Sequence, residues 1–168
     1  MKSDEALLQL VAQADRRAFR ELYERHADRA YHFGLSIVRN PTLAEEVLQE
    51  AMLAVWNGAN RFRGKSKVTT WILGIVRNLA HNLLRRESRA DRTPQLDLVE
   101  PDPAPTIELR EQVQRALGTL PEHQREVLHL VFYEEMSVRE TADVLGIPEG
   151  TVKSRMYNAR KSLAKELT

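Results

Sequence analysis

The stretch Ser137–Leu163, SVRETADVLGIPEGTVKSRMYNARKSL, decides how the chain is read. Ser137 and Glu140 form an S-x-x-E capping box, which predicts a helix from Val138 to Leu145, with Gly146 free to take the left-handed conformation behind it. Ile147-Pro148 makes the turn, and a second helix begins between Glu149 and Thr151. Within it Val152, Met156, Ala159 and Leu163 recur at intervals of four, three and four, which is one buried stripe. The same periodicity pushes Thr151, Lys153, Ser154, Arg155, Tyr157 and Asn158 outward, and Arg160 and Lys161 add further cations. A short helix, a tight turn and a longer helix with polar and cationic residues near its amino end form a helix-turn-helix, whose second helix enters the DNA major groove. The residue types suit that task. Arginine can place two parallel hydrogen bonds on a guanine edge, lysine reaches phosphate, and an asparagine amide matches adenine. A merely solvated basic helix face would need neither the capping box nor the Gly-Ile-Pro turn.

Outward from this stretch, 168 residues with 29% charged and 42% hydrophobic side chains describe a folded chain of one medium or two small domains. Few aromatic and β-branched runs point to helices. No apolar run approaches the roughly 18 residues of a membrane span, and the start lacks the apolar core of a secretory signal, so a cytoplasmic protein without membrane insertion is expected. The absence of cysteine excludes disulfides and thiolate zinc sites. The net charge of +1 conceals an asymmetry: Arg61 to Arg92 carries nine cations against two anions, whereas Thr93 to Glu111 is net acidic. A basic block beside an acidic one suggests a polyanion-binding surface followed by a tether. Thr93–Thr106, TPQLDLVEPDPAPT, holds four of the seven prolines and reads as an extended linker. The expected architecture is therefore all-α, with two small helical domains over 1–92 and 107–168 and a flexible proline-rich linker over 93–106.

The first unit reads as helices throughout. Leu7, Leu10, Val11, Ala14, Ala18 and Leu22 fit one helix over Ala6–Glu24, continued by Tyr31, Leu35 and Val38. Thr42 and Glu45 form a second capping box, ahead of an apolar face on Leu43, Val47, Met52, Val55 and Trp56, with Glu45, Glu46, Gln49 and Glu50 on the other side. A helix from about Thr69 to Arg86 is expected to bury Trp71, Ile75, Leu79 and Leu83 and to leave Arg77, Asn78 and His81 on other faces. In the second unit, Ile107–Leu117 should end before a capping Gly118, and Pro121 should open a helix reaching about Tyr133 over Val127, Leu128, Val131 and Phe132.

These segments resemble the extracytoplasmic-function (ECF) sigma factors, the smallest members of the bacterial sigma-70 group, over nearly the whole chain. LPEHQREVLHLVF and the opening stretch are similar to region 4 of that family; AEEVLQEAMLAVW, RFRG and TTWILGIVRNLAHNLLRR are similar to region 2. The resemblance implies a protein that binds core RNA polymerase, recognises the minus-thirty-five and minus-ten promoter elements as duplex and melted DNA, and promotes melting. It places Glu45, Glu46, Gln49 and Glu50 against the clamp helices of the largest polymerase subunit, with other core subunits also in contact. It sets Gly58, Phe62 and Asn78 around a flipped base of the minus-ten element, with Arg61, Arg63, Lys65, Lys67, Arg77, His81, Arg85 and Arg86 near the backbone of that DNA. It assigns minus-thirty-five readout to Thr151, Lys153, Ser154, Arg155, Tyr157, Asn158 and Lys161. It also implies an anti-sigma partner able to hold the protein inactive, in some settings near the membrane. The chain departs from the family pattern at Lys65, Val68, Glu135 and Asn158.

Two rival classes fare worse. Five histidines and many carboxylates could supply enzyme chemistry, but no H-E-x-x-H, P-loop or G-x-S-x-G occurs, so no catalytic residue, metal or cofactor is expected. A conventional regulator with a sensor domain would bind duplex DNA alone and would have no use for the basic Arg61–Arg92 block.

Overall fold

The computed structural model describes residues 1–89 and 107–168, and every regular element among them is helical. The expected linker over 93–106 and residues 90–92 lie outside the described residues.

The chain starts with α1 (Asp4–Val11), capped by the Ser3 hydroxyl, which accepts from the Ala6 N–H at 3.1 Å. The continuous helix expected over Ala6–Glu24 is broken. Ala14 is exposed with φ +64°, and Asp15 starts α2 (Arg16–Val38) by accepting from the Arg17 and Ala18 N–H groups at 3.0 and 3.1 Å. The apolar spacing runs through this break, whereas a short acid that caps two orphan donors stops the helix outright. Helix α3 (Pro41–Gly58) likewise begins earlier than the Thr42–Glu45 box predicts. Asn40 is the cap, accepting from Thr42 and Leu43 N–H at 2.9 and 3.2 Å, and Pro41 takes the first turn, where no donor is needed. A 3₁₀ turn (Ala59–Arg61) and a polar loop lead to α4 (Val68–Arg89).

Helices α2, α3 and α4 pack around Phe33, Val47, Val55, Ile72 and Val76, all of them buried. The buried face of α4 differs from the expected stripe. Val68, Ile72, Leu73, Val76, Ala80 and Leu83 are buried, while Trp71, Ile75 and Leu79 are only half-buried. Trp71, expected in the core, sits at its rim. The cause is tertiary: α4 is covered by α2 and α3 on one side and by the second unit on another, so its apolar surface is broader than one stripe.

In the second unit α5 (Ile107–Thr119) continues through Gly118, so that glycine is not the cap. It makes room for a neighbour instead, since a Cβ there would lie 3.1 Å from the Arg39 guanidinium. Pro121 is the residue before α6 (Glu122–Leu128) rather than its first position, and the helix passes into a π turn (His129–Tyr133) that leaves Phe132 exposed under Arg160, 4.9 Å from its ring centre. The opening stretch folds as its chemistry dictates. Glu140 N–H donates to Ser137 Oγ at 3.0 Å, α7 spans Val138–Leu145, Gly146 takes φ +66°, and α8 spans Glu149–Leu167 over buried Val152 and Ala159.

The two units pack directly on each other. Val127, Leu130, Met136, Val144 and Leu145 belong to the same apolar cluster as the first unit's core. Arg125 donates to Ser36 O at 2.8 Å and to Leu120 O at 3.0 Å, tying the end of α2 to the end of α5. Burial, then the nearby Arg39 charge, pulls the Arg125 guanidinium below its usual pKa.

Candidate nucleic-acid interface

The row expected to read duplex DNA lies on α8 as predicted. Lys153, Ser154, Tyr157, Asn158 and Lys161 are exposed, Tyr157 at 68%, while Thr151 and Arg155 are half-buried. Ser154 spends its hydroxyl on Gly150 O, 3.1 Å away, so it offers a lone pair rather than a donor to a ligand. The Gly146 turn sets α8 against α7, and Val152 and Ala159 fix its rotation by filling the space between them and the core.

The second candidate surface is built where α3 ends and α4 begins. Phe62 and Trp71 meet with ring centres 5.3 Å apart at 57°. Gly58 lies under the same indole: a Cβ there would stand 3.7 Å from Trp71 and cover its edge. Asn78 is exposed on α4, seven residues beyond Trp71, which at 100° per residue returns it to nearly the same face about 10 Å along the axis. Arg61, Arg63 and Lys65 are exposed on the loop before α4, and exposed Arg85 donates to Asn82 Oδ1. Trp71, read from sequence as core, thus meets Phe62 at the rim of the core, both rings half-buried. The signal that could have found it is the aromatic pair flanking a basic loop.

Arg77 and His81 do not face outward. One helical turn apart on α4, they close on Glu126 of α6, whose side chain is 1% exposed. Arg77 Nε donates to Glu126 Oε2 at 3.4 Å, the His81 ring pairs with Glu126 Oε1, and Glu122 lies 3.6 Å from His81 Nδ1. Lys67 pairs with Glu140 of the capping box at 3.3 Å. Burial would push the Glu140 carboxyl up, but its Ser137 hydrogen bonds and Lys67 outweigh that and leave it below the usual range. Arg86 stands 3.8 Å from Glu50. These cations, expected near DNA backbone, thus each have a carboxylate partner in the same chain; Glu126, shared by His81 and Arg77, lies 45 and 49 residues from them in the sequence, beyond any local pattern.

On α3, Glu45, Glu46 and Gln49 are exposed, whereas Glu50 is drawn toward Arg86. Leu53, which sequence reading left out, is 60% exposed one turn beyond Gln49. A lone exposed leucine at the end of a polar row is the kind of side chain a docking surface covers.

Residues 22–90 match the family model described as Sigma-70 region 2, and residues 110–163 match Sigma-70, region 4. The chain is 38% identical over 168 residues to the ECF RNA polymerase sigma factor SigM of Mycobacterium tuberculosis, a match covering 99% of this chain and 85% of that protein. It belongs to the ECF sigma factors. The ECF sigma factor RpoE of Cereibacter sphaeroides is 32% identical, with 92% of this chain and 88% of the relative covered. Among solved structures, CnrH in complex with the cytosolic domain of CnrY superposes with a TM-score of 0.76 at 27% identity, covering 99% of this chain and 97% of that one. The fold is also that of the sigma factor RpoE from Bartonella quintana, solved with the anti-sigma factor NepR, at a TM-score of 0.78 and 23% identity over 89% and 96% of the two chains. As a sigma factor the protein is a transcription initiation factor and not an enzyme. No helix among the described residues is long and apolar enough to cross a membrane.

Proposed function

We infer that this sigma factor joins core RNA polymerase through the exposed face of α3 and positions it at promoters by two DNA contacts, one on duplex and one on melted DNA. The observation that carries the reading is the presence, in one chain, of an outward polar row on the second helix of a helix-turn-helix and a half-buried aromatic pair beside a basic loop. Upstream, Arg155 and Asn158 of α8 read bases of the minus-thirty-five element, Lys153 and Lys161 reach phosphates, and Thr151, Ser154 and Tyr157 set the register. At the minus-ten element a base leaves the stack at a cost of a few kcal/mol. Stacking on the Phe62–Trp71 edge, worth about 1–3 kcal/mol per base, and the Asn78 amide offset that cost, while Gly58 leaves the edge open. Arg61, Arg63, Lys65 and Arg85 hold the backbone of the opened strand.

In this division, 1–92 binds polymerase and the minus-ten element and 107–168 binds the minus-thirty-five element, with 93–106 as the tether. Glu45, Glu46, Gln49 and Leu53 dock on the clamp helices of the largest subunit. By analogy with CnrH and its partner CnrY, an anti-sigma protein holds the chain inactive, and a membrane-bound partner would keep it at the membrane. A cleft of about 740 Å³ between the units, lined by Leu35, Leu117, Phe132 and Leu163 with Arg39 and Arg125 in its wall, suits an amphipathic segment of such a partner. The docking face is tested by titrating labelled full-length chain with core polymerase: Glu46→Lys combined with Leu53→Ala should weaken binding at least tenfold, and unchanged affinity would refute it.

A further inference from the structure

The cleft where α2, α5, α6 and α8 meet has a volume of about 740 Å³ and a lining of unlike parts. Leu35, Leu117, Leu128, Phe132 and Leu163 make most of the wall apolar, three arginines share it, and among the described residues no Asp or Glu does. Arg39 is the most unusual of the three. It closes α2 with a left-handed backbone (φ +55°), where glycine or asparagine is the ordinary residue, and its guanidinium lies against α5, 3.1 Å from where a Gly118 Cβ would stand. Among the described residues no carboxylate pairs with it, and burial pulls it below its usual pKa. Beside it, Arg125 donates to the Ser36 and Leu120 carbonyls; burial and the Arg39 charge lower its pKa, and Glu122 and Glu126 offset only part of that. Arg160 lies over the Phe132 ring in the same lining.

We propose that this cleft binds a single-chain acyl carboxylate of about ten to twelve carbons, whose head Arg39 and Arg125 hold and whose chain lies on Leu117, Leu128, Phe132 and Leu163. The charge balance selects an anion. Two neighbouring half-buried guanidiniums, in a wall that offers no carboxylate, gain a charge-assisted partner from the ligand, and such bonds are about twice as strong as neutral ones. The apolar wall selects the rest of the molecule. An extended peptide would bring backbone amides to a wall whose Ser36 and Leu120 carbonyls Arg125 already engages, whereas a methylene chain has no polar group to satisfy. A nucleic-acid phosphate would supply the charge and leave the apolar surface in water. The occupant is smaller than the partner segment suggested for the same cleft, and one excludes the other. The site goes beyond the sigma-factor reading and does not rest on it, since no residue that holds the ligand belongs to the promoter-reading or polymerase-docking sets.

The test is isothermal titration calorimetry of the full chain with decanoate, octanoate, decanol and acetate. Decanoate should bind one to one with a Kd of about 10–100 µM. Octanoate should bind about tenfold more weakly, about threefold for each methylene withdrawn from the cleft, and acetate should give no measurable heat. Decanol, with the same chain and no charge, should also bind about tenfold more weakly than decanoate. Arg39→Met should bring decanoate down to the affinity of decanol while leaving decanol within about twofold of its wild-type value. Ala164→Trp places a large ring in the cleft from an exposed position on α8 and should weaken both ligands at least about tenfold. Arg16→Met removes an exposed cation from the start of α2, away from the cleft, and should leave decanoate binding unchanged. The proposal is overturned if decanoate gives no one-to-one binding up to about 1 mM, or if decanol binds as tightly as decanoate. It is equally overturned if Ala164→Trp binds like the wild type, a result that stands even where Arg39→Met does not fold. Promoter-directed transcription that persists without decanoate binding would remove this site alone and leave the sigma-factor reading in place.

Discussion

Replacing Leu130 with alanine tests whether the two units form one cooperative structure. Leu130 is 0% exposed and sits in the apolar cluster shared by both units. A fully buried leucine cut to alanine costs about 2–5 kcal/mol, from lost transfer energy and the cavity left behind. Taking about 3 kcal/mol, and a urea m-value of about 2 kcal/mol per molar for a domain of this order, the midpoint should fall by about 1.5 M. The assay gains its power from where the reporters lie. Both tryptophans, Trp56 and Trp71, are in the first unit, whereas Leu130 is in the second. Tryptophan fluorescence therefore follows the unmutated half, and far-UV circular dichroism follows all helices. With a common core the two transitions superimpose and move together by the full amount. If fluorescence keeps its wild-type midpoint while the circular dichroism transition shifts or splits, the units unfold independently and the shared core is not energetically real.

Three further outcomes follow from the geometry. Asn78→Ala should impair strand opening by the holoenzyme, measured with a fluorescent base in the minus-ten element, more than it impairs closed-complex binding; equal losses would contradict the base-capture role. Arg155→Ala should cost about 1–3 kcal/mol and relax base preference within the upstream element, measured on a set of single-base variants; a uniform loss across all of them would make Arg155 a phosphate contact instead. Glu140 has its carboxyl held below the usual range, so the charged form stabilises the fold above the unfolded value of about 4.3, and that contribution is lost as pH falls through the lower folded value. The stability gap between wild type and Glu140→Gln, followed by urea midpoints, should be present at neutral pH and shrink below about pH 4; a gap constant with pH would assign the cost to packing rather than charge.

The helix-turn-helix was legible because its determinants are local. Ser137, Glu140 and Gly146 each act on backbone within four residues, and the apolar interval on α8 fixes its outward row. Asp15 acts as locally, yet apolar spacing runs past it and only its side-chain cap marks that boundary, whereas the break before α3 shows in the sequence and only the capping residue differs, Asn40 rather than Thr42. The face of α4 was harder to read for a different reason. A helix covered on two sides buries more than one stripe, so periodicity alone put Trp71 inside and left open what Arg77 and His81 would meet. Their partner Glu126 comes from the other unit, and no spacing within α4 encodes it. Of the expected DNA-facing residues, Lys153, Tyr157, Asn158 and Lys161 on α8 and Arg61, Arg63 and Lys65 before α4 are exposed, whereas Lys67, Arg77, His81 and Arg86 have carboxylate partners within the chain.

Run-off transcription with core RNA polymerase, on a promoter from the same genome, bears most directly on the function. Adding the folded chain should yield a transcript of one defined length, abolished by base changes in either promoter element. A polymerase that initiates as indiscriminately with the chain as without it would contradict the account.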